Sequence, residues 1–231
     1  MKIAFTCDID WASELVIKDT LDLFQEYKIK STLFCTHKSI QIDKCDRNLF
    51  EIGIHPNFNK NIIEGNGEKG FEIVKKLKDI YPEAIGVRSH SITTSGPILE
   101  IFKQNNLLYE CNQFIPYSKT INPYKCWNGM SIIQYNFEDD VHFTYNNSFD
   151  FSLIDEFSSS KYLIMDFHPI HIYLNTDSEK TYQNAKPYFN SSSLKKYKNT
   201  KEYGVRDLLI QTFKQVMNKR YQTYHLKNFI L

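Results

Sequence analysis

The sequence predicts an α/β fold built on a mainly parallel sheet, open or closed into a barrel. Three observations lead there. Short apolar or β-branched runs alternate with amphipathic segments of helical spacing along most of the chain. The first run, Lys2-Ile3-Ala4-Phe5-Thr6-Cys7, reads as a buried strand. Several runs end in a charged or imidazole side chain, and the C-terminal ends of parallel strands are where ligands and chemistry collect.

After the opening strand, residues 11–28 set Leu15, Val16, Leu21, Leu23, Phe24 and Tyr27 among charges, a helical pattern. Ser31–Thr36 is β-branched and aromatic, hence a strand, and Leu49–Pro56 is a third strand stopped by its proline. The polar stretch Asn57–Gly70 reads as a mobile loop. Phe71, Val74, Leu77 and Tyr81 predict a helix over 71–81. Ile85–His90 is a fourth strand, 97–105 a helix with Pro97 in its first turn, and 107–112 a fifth strand. Residues 113–147 are irregular, with turn signals at Pro116, Pro123 and Asn128-Gly129 and a strand over 131–137. Tyr162–His168 is a buried strand ended by Pro169, and the polar stretch 174–203 reads as an excursion or flexible loop. Val205, Leu208, Leu209, Phe213, Val216 and Met217 close the pattern with a helix over 204–219. Neither a repeat nor a composition break divides the chain, so residues 1–231 are expected to form a single domain with one sizeable core.

A net charge of +1 gives no reason to expect nucleic acid or an acidic membrane surface as partner. No apolar stretch approaches a membrane span or a signal segment. The five cysteines are odd in number and show no CxxC spacing, and Cys7, Cys35 and Cys111 lie in apolar runs. Reduced thiols and a cytoplasmic location are therefore expected.

Asp8 and Asp10 end the first strand at i, i+2, so in extended chain they face the same side. Two such carboxylates need a metal ion, a cationic side chain or a shared proton between them. The alternative is that Asp10 caps the following helix and Asp8 is a solvated strand end. What weighs for chemistry is the set of strand ends: Asp8/Asp10, His55, Arg88/His90 and His168. On one rim these form the raw material of a metal site with a general base and a general acid. His171 is either a support for substrate or metal or an ordinary polar residue. Glu138-Asp139-Asp140 either lines the cleft or forms a solvated turn, and Trp11 either stacks on a bound ligand or packs the first helix. Asn57 and Phe58 come directly after His55-Pro56 at the expected mouth, while His37, His142 and His225 show no partner pattern.

These residues resemble the polysaccharide deacetylase (NodB-homology, carbohydrate esterase family 4) superfamily, and within it a divergent branch linked to surface-polysaccharide synthesis. Thr6-Cys7-Asp8-Ile9-Asp10 is similar to the family's Thr-Phe-Asp-Asp-Gly. Glu51-Ile52-Gly53-Ile54-His55 matches its second motif, Arg88 in Gly86-Val87-Arg88-Ser89-His90-Ser91 its third, and His168 in Ile164-Met165-Asp166-Phe167-His168-Pro169 its last. The four occur in family order between residues 6 and 168. The resemblance implies a distorted (β/α) barrel of about seven strands and metal-dependent hydrolysis of an N-acyl or O-acyl group.

The chain departs from the pattern at Ile9, where the family has its metal-binding aspartate, and at Asn59, where it has a second histidine. His90 comes after the motif-three arginine where a proline is usual. The implied ligand set is accordingly Asp10, His55 and His90 around a divalent ion, zinc foremost, with one position open for water. The implied catalytic groups are Asp8 as base, Arg88 orienting it, and His168 as acid. Trp11, Asn57 and His171 are the substrate-contacting candidates, and the substrate is an N-acylated sugar or sugar precursor. The rival expectations are a metal-free relative that cleaves another C–N bond and a non-catalytic carbohydrate-binding relative.

Overall fold

The computed structural model describes residues 1–60, 69–145 and 147–231. The mobile loop expected over 57–70 falls largely on 61–68, outside the described residues. Nine strands form one sheet: β1 (Lys2–Asp8), β2 (Ser31–Cys35), β3 (Phe50–Ile54), β4 (Gly86–Val87), β5 (Tyr109–Phe114), β6 (Tyr124–Lys125), β7 (Ser131–Tyr135), β8 (Phe137–Glu138) and β9 (Tyr162–Phe167). Their order is β6-β7-β5-β4-β3-β2-β1-β9-β8, and every pairing is parallel except β6 with β7.

The helices are α1 (Glu14–Glu26), α2 (Ile40–Lys44), α3 (Gly70–Ile80), α4 (Gly96–Gln104), α5 (Asp139–Thr144), α6 (Leu153–Glu156), α7 (Pro169–Leu174), α8 (Glu179–Ala185) and α9 (Val205–Asn218). This α/β architecture is the predicted class. The strand count exceeds about seven because β6 and β8 have two residues each, too few for a periodic signal.

The period of two along each strand divides the interior. Ile3, Phe5 and Cys7 of β1 face the helices, where Phe5 meets Phe24 of α1 at 6.0 Å and Phe213 of α9 at 5.1 Å. Ala4 faces the other way, into a second cluster with Phe34, Tyr109, Tyr135 and Ile164 inside the curved sheet. Leu226 and Phe229 join this inner cluster, and Tyr224 donates its N–H to the Ile3 carbonyl, so the last turn plugs the N-terminal end of the strands. The opposite end, where the parallel strands finish, is left for polar side chains.

The ladder has no direct β7–β8 pairing, but only Asn136 separates these two strands in the chain. β7 pairs with β5 and β8 with β9, so one short segment runs from the strand next to one edge of the sheet to the opposite edge. Asn136 is buried and donates to the carbonyls of Ser118 (2.8 Å) and Tyr162 (3.2 Å), and its Oδ1 accepts from Ile164 N–H at 3.0 Å. Asn136 N–H also donates to the Ile164 carbonyl at 3.0 Å, so backbone and side chain together tie this segment to β9, in an open ladder of distorted-barrel type.

Two expectations are corrected. Residues 174–203 are not a flexible loop: they contain α8 and two 3₁₀ turns, Lys186–Tyr188 and Ser192–Tyr197. Ser178 and Ser191 cap two of these elements, while buried Ala185 and Leu194 pack with Val16, Tyr173 and Leu174. Each element is about two turns or less, so no apolar period accumulates in the sequence. The first helix starts at Glu14, not Trp11, and its N-cap residue is Ser13, so Asp10 is not the cap.

Candidate active site

The inward faces of the strands deliver the site. On β1, Thr6 and Asp8 come after Ala4 at the period of two; on β9, Asp166 comes after Ile164, and His168 lies one step past the strand. Glu51 and Gly53 of β3 lead to His55, and Gly86 of β4 leads to Arg88. Gly86 is required by close approach: a Cβ there would lie 2.0 Å from the Tyr109 ring. The strand ends named from the sequence therefore converge on one rim.

Asp10 comes by a different route. Asp10 and Trp11 both adopt left-handed backbone, with φ of 40° and 54°, uncommon for non-glycine residues. The tight turn, closed by Ala12 N–H to the Ile9 carbonyl at 2.9 Å, brings the Asp10 carboxylate back over the barrel. Ile9, in the position of the family's second aspartate, is buried in the outer core. Asp10 Oδ1 lies 3.2 Å from His55 Nε2 and 3.1 Å from His90 Nδ1, and Asp10 Oδ2 lies 3.7 Å from His168 Nε2. Burial opposes charge on Asp10, but the bonds to His55 and His90 and the nearby His168 outweigh it. They hold the carboxyl well below the usual carboxylate range.

Beneath lies a buried ionic layer. Arg88 has no exposed surface and its guanidinium lies between the rings of Phe34 (4.7 Å) and Tyr135 (4.2 Å). Its Nη1 is 3.0 Å from Asp8 Oδ1 and 2.9 Å from Thr6 Oγ1, and it also pairs with Asp166 Oδ1. Nε donates to the Cys111 carbonyl at 2.9 Å. Burial and the charge of Asp8 raise the Asp166 pKa, although Arg88 works against them.

His168 is held by one carboxylate at two points: Asp139 Oδ1 is 2.7 Å from Nδ1, and Asp139 Oδ2 accepts the His168 backbone N–H at 2.9 Å. That grip leaves Nε2 directed at the site. Burial penalises the imidazolium, but Asp139 and the acids around it prevail and raise the His168 pKa well above its ordinary value.

One nitrogen or oxygen from each of Asp10, His55 and His90 lies within 4.8 Å of the other two. His55 Nδ1, 3.6 Å from Asp8 Oδ2, is a buried polar atom with no hydrogen-bond partner among the described residues. Two imidazoles and a carboxylate facing a cavity are a donor set that suits a divalent cation with a coordination position to spare.

Two cavities meet at Trp11. One, about 330 Å³, is bounded by Asp10, Asp140, His168, Glu179, Tyr182 and Phe189. The other, about 470 Å³, lies on the His55 side and includes Asn57. The Trp11 indole is half exposed and meets His90 edge-on at 5.1 Å. His171 borders the first cavity, but it is buried between Phe143 and Tyr182, each at 4.9 Å, and Nδ1 bonds Thr176 at 3.1 Å. Burial lowers its pKa, which suits a neutral wall residue. Phe58 does not shape the mouth; it is buried against Phe102.

The family of WbmS-like polysaccharide deacetylases matches residues 5–186. This chain belongs to that family. WbmS of Bordetella bronchiseptica, put forward as a polysaccharide deacetylase involved in O-antigen biosynthesis, is 33% identical with a TM-score of 0.87, over 92% of this chain and 90% of that one. The peptidoglycan deacetylase PdaC of Bacillus subtilis is 11% identical with a TM-score of 0.56, over 99% and 89%. A carbohydrate esterase family 4 pseudoenzyme of Bacillus anthracis is 11% identical with a TM-score of 0.52, over 100% and 65%. These last two share the fold. No curated protein matches the chain.

The motifs do not single out three residues around this site: Thr6, Asp166 and Asp139. Thr6 and Asp166 each precede a strand-end residue by two, so alternation within the strand is the signal that could find them. Asp139 belongs to the acidic run that reads equally as a solvated turn; the structure buries it completely.

Proposed function

We propose that the chain is a metal-dependent deacetylase that removes an N-acetyl or other acyl group from a sugar or sugar precursor in surface-glycan synthesis. The observation that carries this reading is the meeting of Asp10, His55 and His90 directly above the Arg88–Asp8 pair and beside His168. Asp10, His55 and His90 would hold the ion, with zinc the best fit to two imidazoles and a carboxylate. When bound, such an ion supplies a Lewis acid that polarises the acyl carbonyl and acidifies water.

The chain's own groups divide the proton work. Asp8, whose Oδ2 lies 3.6 Å from His55 Nδ1, accepts the proton of the attacking water, and Arg88 fixes the orientation of its carboxylate. His168 Nε2 delivers a proton to the departing amine, with Asp139 holding Nδ1 so that the ring cannot turn away. Asp8 and His168 serve the same reacting centre: one atom of each lies within 4.8 Å of the other. The Trp11 indole and the Tyr182 and Phe189 rings offer apolar faces to a sugar. Five free cysteines support a reducing compartment and hence a cytoplasmic precursor as substrate.

Elemental analysis together with acetate release from N-acetyl sugars tests the proposal. Asp8→Asn is expected to retain the metal and lose about 10²-fold or more in turnover. Asp10→Asn is expected to lose the metal. Loss of metal from the Asp8 variant alone would exchange their roles, and turnover by metal-free protein would favour the metal-independent reading.

A further inference from the structure

We propose that the sugar bound here carries a phosphate or diphosphate ester, held by Lys38 and Lys60 in the cavity on the His55 side of Trp11. The inference rests on the deacetylase reading for the identity of the sugar group, and deepens it by naming what the sugar is attached to.

The two cavities flanking Trp11 differ in charge. Asp10, Asp140 and Glu179 border the first, and no lysine or arginine is among the described residues that line it. Lys38, Lys60, Lys76 and His37 border the second, and no aspartate or glutamate is among the described residues that line it. The three lysines come from separate segments: the turn after β2, the chain just beyond His55, and α3. They are not simply one helix's solvated face. On α3 itself, Lys75 is paired with Asp79 at 2.7 Å and Lys78 donates to the Ala84 carbonyl, and neither borders the cavity.

Trp11 and His55 are common to the arrangement. Trp11 borders both cavities, and His55 borders the basic one while its Nε2 bonds Asp10. A sugar ring against Trp11, its acyl group over the Asp10–His55–His90 cluster, has lysines on one side only; on the other side the imidazoles of His90 and His168 are engaged by Asp10 and Asp139. An anion attached to that sugar is attracted to the Lys38/Lys60 side and repelled by Asp140 and Glu179. Ile73, Leu77 and Ile80 give the basic cavity an apolar wall beyond the lysines. That wall suits the far substituent of a diphosphate, whether a nucleoside base or an isoprenoid chain.

The test is calorimetric titration of the metal-loaded protein with N-acetylglucosamine 1-phosphate and with the neutral methyl glycoside of N-acetylglucosamine. The phosphorylated sugar is expected to bind roughly tenfold more tightly at low salt, the equivalent of about 1.4 kcal/mol. Raising the salt should erode that preference. In the double variant Lys38→Gln/Lys60→Gln the preference should fall to near unity. Equal binding of the two sugars, binding of neither, or an unchanged preference in the double variant overturns the proposal. Parallel titrations with a uridine diphosphate sugar and a farnesyl diphosphate sugar separate the two sources of the anion. Retained preference without acetate release would defeat the deacetylase reading and leave the phosphate site standing; acetate release without preference would do the reverse.

Discussion

Arg88 is the largest fully buried side chain, and it joins two carboxylates that would otherwise face each other without a cation. Arg88→Met keeps the length and removes the charge. It is expected to cost about 3–5 kcal/mol in urea unfolding, because it strands buried acids without a counterion. Arg88→Lys should cost less in stability, yet lose the forked contact that reaches Asp8, Asp166 and Cys111 together. In the proposed mechanism Asp139 acts through His168, which it holds at Nδ1 and at the backbone N–H. Asp139→Asn is expected to lower kcat by roughly 10²-fold or more while KM changes little, measured as acetate release at saturating and limiting sugar. Among single residues, strand-end chemistry is the legible part: Asp8, His55, Arg88 and His168 each come at the end of an apolar run. Asp139 is not legible because three consecutive acids give no hint of which one turns inward.

At the scale of one strand, β5 carries an acid on the face turned from the inner cluster. Glu110 is buried and accepts the Asn112 N–H at 2.9 Å, and burial raises its pKa from 4.5 to about 7. The folded state therefore holds this proton more tightly than the unfolded chain does. Its contribution to stability is complete below about pH 4.5 and is lost as pH rises towards 7. Glu110→Gln should match the wild type at low pH and exceed it near pH 8, by on the order of 3 kcal/mol at most. Urea denaturation at several pH values reads the difference directly. Among the elements, long periodic helices such as α1 and α9 are plain in the sequence. The polar stretch after β9 is not, because α8 and the neighbouring 3₁₀ turns bury only an occasional residue such as Ala185 or Leu194.

The molecule as a whole depends on how its sheet curls. The parallel class can be read from alternating strands and helices, but the seam that links β7 to β9 cannot, since it rests on the single residue Asn136 between β7 and β8. Asn136→Ala removes three side-chain hydrogen bonds at that seam and leaves buried backbone groups of Tyr162 and Ile164 short of a partner. A loss of about 2–4 kcal/mol is expected in thermal or urea unfolding. Faster amide exchange along β9 than along β2 would show that the damage lies at the seam.

Lysines border one hollow beside the indole and carboxylates the other, which gives the mouth a polarity. In the proposed binding mode a molecule with a neutral head and an anionic tail fits one way round, for reversal would press its tail against Asp140 and Glu179. Where a glycan bears several acyl groups, that one-way entry would select the group nearest the anion, making regiochemistry a property of the field at the entrance.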